Sequence, residues 1–280
     1  MSMLTVNPSE IPIPKLHQYL LGAIGPRPIC FASTIDKAGR PNLAPFSFFN
    51  VFSANPPIVV FAPNNSGRDG TPKHTWLNVL EVPEVVVNIV DYAMVQQMNV
   101  AAAPWERGVS EFETAGFTAL PSDLIQPLRV AESPVQLECK VIGTQVLGEG
   151  GGAGNLVIAQ VVRIHIQEKV LNEDGKIDPR KMDLVARMGG AWYCHATPES
   201  MFELAQPMTR TIGYDALPDA VKHNTHLSAN EIGKMATLAE WPHEELIAGS
   251  KVMHAGGNRD TEASALIAAG KVAEALCLYL

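Results

Sequence analysis

Two neighbouring stretches of this 280-residue chain gather the side chains best suited to hold a ligand. The first, "NLAPFSFFNVFSANPP" at 42–57, sets Ser47, Asn50 and Ser53 among Phe46, Phe48, Phe49 and Phe52. Strand side chains alternate with period two, so polar residues spaced by three cannot share one face of a regular strand. Two readings fit. Either the segment leaves its ladder and offers backbone groups to something planar, or the phenylalanines pack as an ordinary core strand. The second stretch, "FAPNNSGRDGTPKHTWLN" at 61–78, brings Asn64, Asn65, Ser66, Arg68, Lys73 and Thr75 up to a helix start. Donors, cationic charge and the positive end of a helix act together there, which suits a phosphate. The alternative is a plain surface loop before a helix.

The elements that must position these stretches are mostly strands. "RPICFAST" (27–34), "PNLAPFSFF" (41–49), "PPIVVFAP" (56–63) and "PEVVVNIV" (83–90) are rich in Val, Ile, Phe and Thr and are punctuated by Pro, Gly and Asn. "DKAGRPN" (36–42) has hairpin chemistry. "PVQLECKVIG" (134–143) alternates Val135, Leu137, Cys139 and Val141 with Gln136, Glu138 and Lys140, the pattern of a strand with one wet face. "NLVIAQVVRIHIQ" (155–167) ends with Val162, Ile164 and Ile166 alternating with Arg163, His165 and Gln167. Helices are expected at 71–81, where Trp76, Leu77 and Leu80 share a face, and at 91–102, capped by Asp91.

The glycine-rich "LGEGGGAGN" (147–155) invites comparison with a phosphate-binding loop. Such loops lead into a helix whose N-terminus faces the phosphate, whereas this one leads into a β-branched run and carries no lysine. It reads as a flexible hairpin tip. His223 and His226 in "HNTH" lack nearby ligand partners and read as solvated or capping residues. Glu106, Glu111 and Glu113 read as a solvated charged turn. No hydrolase or metalloprotease motif is present.

The last eighty residues change texture. Ser228 and Glu231 stand at capping-box spacing ahead of Ile232, Met235 and Leu238, and 260–280 is rich in strong helix formers. The layout is a β-barrel-like body over 1–205 and a helical extension over 206–280. A net charge of −8 argues against nucleic acid. Cys30, Cys139, Cys194 and Cys277 have no metal-ligand spacing and read as reduced, mostly buried thiols. With no signal-peptide pattern and no apolar run long enough for a bilayer, a soluble cytoplasmic protein is expected.

In order along roughly 15–200, "RPICFASTIDKAGRPNLAPFSFFNVFSANPPIVVFAP", "KHTWLNV", "VVVNIV", "SEF", "ESPVQLEC" and "RMGGAWY" make the chain resemble the flavin reductase-like family. Flavoredoxins and the reductase components of two-component flavin monooxygenases belong to it. The resemblance implies a mainly β fold with helices, an antiparallel, Greek-key FMN-binding split β-barrel, in a homodimer with FMN near the subunit interface. It marks Ser33 and Thr34 as flavin neighbours, and Pro45, Phe46, Ser47, Phe48 and Asn50, with Pro63, as lining the ring and ribityl chain. Lys73, His74 and Thr75 match a phosphate-associated Lys-Asp-Thr motif, with His74 standing where the family commonly has Asp. Arg187 and Tyr193 match a segment near the pocket.

The implied activity is hydride transfer from NAD(P)H to FMN, with reduced flavin passing to a partner monooxygenase. No dinucleotide fingerprint is present, so the nicotinamide nucleotide would dock transiently, aided by Arg187 or His195. Two alternatives stand beside it: a flavoredoxin-like FMN electron carrier, and a non-enzymatic flavin-binding module whose C-terminal helices recruit a partner. The choice between NADH and NADPH stays open.

Overall fold

The computed structural model describes residues 2–253 and 257–280, and the chain divides into two compact units, 1–202 and 203–280. The first unit opens with helix α1 (Ile13–Ala23). Strands β1 (Cys30–Ile35), β2 (Pro41–Phe46), β3 (Phe49–Ala54) and β4 (Pro57–Phe61) follow as two hairpins. Helix α2 (His74–Glu81), β5 (Glu84–Ile89), α3 (Val95–Ala101) and α4 (Glu111–Ala115) come next. A short ribbon, β6 (Ala119–Leu120) with β7 (Arg129–Val130), precedes the long hairpin of β8 (Val135–Val146) and β9 (Asn155–Ile166). A second ribbon pairs β10 (Val185–Arg187) with β11 (Tyr193–His195).

The seven main strands pair antiparallel in the order β2-β1-β5-β8-β9-β4-β3, which places the two early hairpins at opposite edges. Asp36 closes the first hairpin: its carboxylate accepts the Ala38 and Arg40 N–H groups at 3.0 Å each. Cys30, Ala32, Val59, Phe61, Val85, Val87, Cys139, Val157 and Ala159 form one cluster, into which α2 inserts Trp76 and Val79. Phe31 and Leu43, on the other face of β1–β2, pack with Met98, Ala101, Phe112, Ala115 and Phe117. A buried side chain of this size contributes about 1.5–3 kcal/mol, so the two clusters dominate the stability of this unit. Cys30, Cys139 and Cys194 are free thiols, and burial pushes Cys139 up to about 12.

Several expectations need correction. The helix expected at 91–102 begins at Val95, because Asp91 caps the preceding turn, its Oδ1 accepting the Met94 N–H at 3.1 Å. The expected wet face of β8 is dry at its start, where Gln136 and Glu138 are buried, while Lys140 further along is exposed as expected. The Glu138 carboxylate accepts the N–H groups of Asp123 and Leu124 at 2.8 Å each, sealing the 121–128 loop over that face. On β9, Ile164 and Ile166 face outward. Glu111 is not solvated either; it is buried and accepts the Leu43 N–H at 2.8 Å, pinning α4 to β2.

The second unit contains α5 (Asp219–Lys222), α6 (Ala229–Ala236), α7 (Glu244–Met253), α8 (Arg259–Ala268) and α9 (Val272–Cys277). Leu217, Val221, Met235, Ile267 and Leu276 centre its own core. The helix-forming stretch 260–280 divides into α8 and α9 around Gly270, whose φ of 78° lies in the left-handed region that glycine adopts without penalty. Ser228 and Glu231 form the expected capping box. Ser228→Ala should lower the stability of this unit by about 1 kcal/mol, read as a shift in its urea midpoint with unchanged slope.

Candidate functional site

β2 leaves its ladder after Phe46, and a bend at Ser47–Phe48 intervenes before β3 begins. Both readings of 42–57 therefore hold in part. Phe46 and Phe49 pack against the barrel cluster, with Phe46 and Phe61 ring centroids 5.8 Å apart. Phe48 instead lines a cleft, and Phe52 is exposed.

That cleft has a volume of about 590 Å³, within the usual range for small-molecule sites. Its walls include Pro45, Phe46, Ser47 and Phe48 from the bend, Met98 and Ala102 beside α3, and Arg187 and Tyr193 from the β10–β11 ribbon. The 64–68 loop and Lys73 close one end. A narrower chamber of about 230 Å³ shares Pro45, Phe46, Ser66, Arg68, Lys73 and Ala102 with it and continues past His74, Thr75 and Trp105 to Glu111. Among the described residues no side chain caps the N-terminus of α2, whose first-turn residues His74 and Thr75 line this narrow chamber, so the positive end of the helix dipole serves it directly. Lys73 and Arg68 line both chambers; the wide one adds Phe48, Tyr193 and Arg187, and the narrow one adds the start of α2, Trp105 and the Glu111 carboxyl.

Pro45, Phe46, Ser47, Phe48, Lys73, His74, Thr75, Arg187 and Tyr193 thus line one chamber or both. Ser33, Thr34, Asn50 and Pro63 do not. Ser33 and Thr34 are fully buried in β1, where the Thr34 hydroxyl accepts from Asn78 Nδ2 at 3.2 Å and so anchors α2. Asn50 is exposed, its side chain accepting the Val51 N–H. Buried Pro63 gives its carbonyl to Asn155 Nδ2. His195 stacks on Tyr92 with centroids 4.1 Å apart and pairs with Asp183 instead of lining either chamber. His226 sits in a turn in which Asn224 Oδ1 accepts its backbone N–H.

Charge at the narrow end is set by neighbours. Burial, then Arg107 and Lys73, push the His74 imidazole below its ordinary pKa, so it is neutral at pH 7 and the cations there are Lys73 and Arg68. Burial raises the Glu111 carboxyl against the opposing hydrogen bond from Leu43. The Arg187 guanidinium lies 4.6 Å from the Tyr193 ring centre and donates to the Gly190 carbonyl at 2.8 Å, which fixes both side chains at the wide end. Buried Arg27 joins this ribbon to α1 by donating to the carbonyls of Leu21, Ile24 and Met188. In this way α1 presents His17 and Leu21 to the cleft.

The fold is an antiparallel barrel whose cleft runs from Arg187 and Tyr193 past Lys73 to the start of α2, and the comparisons place it in a class of flavin-handling split barrels. The flavin reductase like domain matches residues 23–182, and the chain belongs to the flavin reductase-like family. The uncharacterised protein BH2278 of Halalkalibacterium halodurans is 38% identical over 190 residues, covering 67% of this chain and 90% of that one. Nitrilotriacetate monooxygenase component B from Bacillus cereus superposes with a TM-score of 0.68 at 33% identity, over 73% of this chain and all of that one. The 2-nitrobenzoate 2-nitroreductase NbaA of Pseudomonas fluorescens gives 0.62 at 27% identity, over 73% and 97%.

Proposed function

We propose that this chain binds FMN in the cleft and catalyses hydride transfer from NADH or NADPH to flavin, acting as a homodimer that supplies reduced flavin to a partner monooxygenase. The observation that carries this reading is the wall of Pro45, Phe46, Ser66, Arg68 and Lys73 shared by a chamber holding Phe48 and Tyr193 and a chamber at the start of α2, a shape suited to a flat ring with an anionic tail. The residues present fit such a group. Asn64 Oδ1 is buried in the cleft wall with no donor, and a ligand N–H or hydroxyl would satisfy it. Phe46, Phe48, Met98 and Tyr193 would hold the ring, Arg187 would place positive charge beside it, and Lys73 with the first turn of α2 would hold the phosphate.

When bound, the flavin supplies the hydride-accepting chemistry itself, so the protein's work is to orient the ring, exclude water and stabilise negative charge. A third cavity of about 740 Å³ adjoins the cleft across His17, Phe48, Asn64, Asn65, Gly67 and Arg68, and it supports a second substrate bound beside the first. Exposed Val51, Phe52, Ile142 and Val146 on the barrel support burial of this surface against a second copy. The nitrilotriacetate monooxygenase component named above supports a monooxygenase as recipient.

Addition of FMN to the purified protein should perturb the visible flavin spectrum and quench flavin fluorescence. NADH or NADPH should then be oxidised catalytically in the presence of flavin. Absence of both effects rejects the reading, and tight FMN binding without turnover would make the chain an electron carrier.

A further inference from the structure

The glycine-rich segment between β8 and β9 is a hairpin tip, as its sequence suggests, but it is not free. It is strapped along the loop that leads into the narrow chamber. The Asn65 N–H donates to the Ala153 carbonyl at 2.9 Å, and the Gly152 N–H returns a bond to the Asn65 carbonyl at 3.2 Å. Side chains reinforce this pairing: Asn64 Nδ2 donates to Gly152 and Asn65 Nδ2 to Gly150, at 3.3 Å each. Asn155, buried at the start of β9, donates from one amide nitrogen to the Asn65 side-chain oxygen at 2.9 Å and to the Pro63 carbonyl at 3.2 Å. Residues 63–65 are therefore held by the tip and by the start of β9, and Ser66, Arg68 and Lys73 follow directly along the chain.

We infer that this tip is a positioning element for the anion-binding end of the cleft, and that Gly151 and Asn155 set affinity for a phosphate-bearing ligand without lining the wide or the narrow chamber, Gly151 facing the third cavity that adjoins them. The inference rests on the reading of the narrow chamber as a phosphate site. The steric argument is specific to one glycine. A Cβ at Gly151 would stand 3.1 Å from the Gly67 carbonyl oxygen and 3.3 Å from that of Ser66. Both obstacles are backbone atoms of the anion loop, so the loop itself must move to admit a methyl group. Gly148, on the same tip, provides the contrast: its Cβ would meet nothing closer than the Ala153 methyl at 3.8 Å, an ordinary contact. Neither glycine has a positive φ, so alanine suits the backbone conformation at both, and any difference between the two variants reports the collision with the loop. Hydrogen bonds to an anion weaken steeply with displacement and misalignment, so a shift of a few tenths of an ångström at Ser66 is felt in binding.

The test uses the full chain and two ligands that differ by the phosphate alone, FMN and riboflavin, titrated by calorimetry. Preference of the native protein for FMN decides the site reading by itself; equal affinities would overturn that reading and the inference with it. Given the preference, Gly151→Ala and Asn155→Ala should bind FMN about tenfold more weakly while riboflavin affinity stays within about twofold, and Gly148→Ala should match the native protein. Native FMN affinity in both altered proteins overturns the inference. So does an equal loss for both ligands, which would mark a general structural role. Should Asn155→Ala fail to fold by circular dichroism, the Gly151→Ala and Gly148→Ala pair decides.

Discussion

Replacing Lys73 by alanine is expected to weaken FMN binding by about 10- to 100-fold while turnover at saturating flavin stays within about threefold. Lys73 is the N-cap residue of α2 and lines both chambers, so its ammonium and the helix start act on the same volume. The other basic groups cannot compensate. His74 is kept neutral by burial and by neighbouring positive charge. Arg68 has Asp69 at 3.8 Å and a side chain 79% exposed, so solvent and its own carboxylate partner dilute its attraction. Flavin titration with steady-state kinetics checks the result. A raised KM with preserved kcat places Lys73 at the tail; a fall in kcat at saturation would place it at the reacting ring and refute the assignment.

A second large effect is expected far from the cleft. Glu138→Ala should cost about 2–3 kcal/mol of unfolding free energy, because it strands three part-buried groups that share one carboxylate. Glu138 is fully buried, and its two oxygens accept the N–H groups of Asp123 and Leu124 together with His165 Nε2 at 2.7 Å. Burial acts to raise this carboxyl, but the backbone N–H of Asp123, then His165 and the backbone N–H of Leu124, outweigh it and hold the pKa below the ordinary value. The sign of the pH dependence follows. The unfolded chain takes up the proton first, at about pH 4.3, so the stability Glu138 contributes is complete above that pH and is lost as pH falls through the lower folded value. Urea unfolding at a series of pH values should show a shallower acid loss in Glu138→Gln than in the native chain. Identical slopes would refute the role assigned to this carboxylate.

The strands and the cleft-forming bend were legible from local chemistry. β-branched runs between Pro, Gly and Asn marked the sheet, and polar residues at the wrong period marked the departure near Ser47. Residues whose roles depend on distant partners were not legible. Glu111 and Glu138 look solvated in sequence because charge next to turns usually is, and only the fold shows which N–H groups they hold. Arg27 joins three carbonyls, one of them 161 residues away along the chain, and nothing near it in sequence signals that. The contribution of α1 to the cleft could have been suspected from Pro12 and Pro14 ahead of Leu16, Leu20 and Leu21, an amphipathic helix with proline in its first turn.

The seven-stranded sheet is unequal in how much sequence change it can absorb. In β1 every residue is buried, because one face belongs to the barrel interior and the other to the cluster under α3 and α4. A substitution there disturbs packing whichever way the side chain points, since a close-packed interior resists even a one-methylene change in volume. Within the subunit, edge strand β3 meets no such constraint at Val51 and Phe52, which are 66% and 68% exposed and belong to the surface proposed to meet a second copy. Homologous chains should therefore drift slowly along β1, where the fold itself fixes each side chain, and along β3 only as far as the proposed contact with a second copy allows.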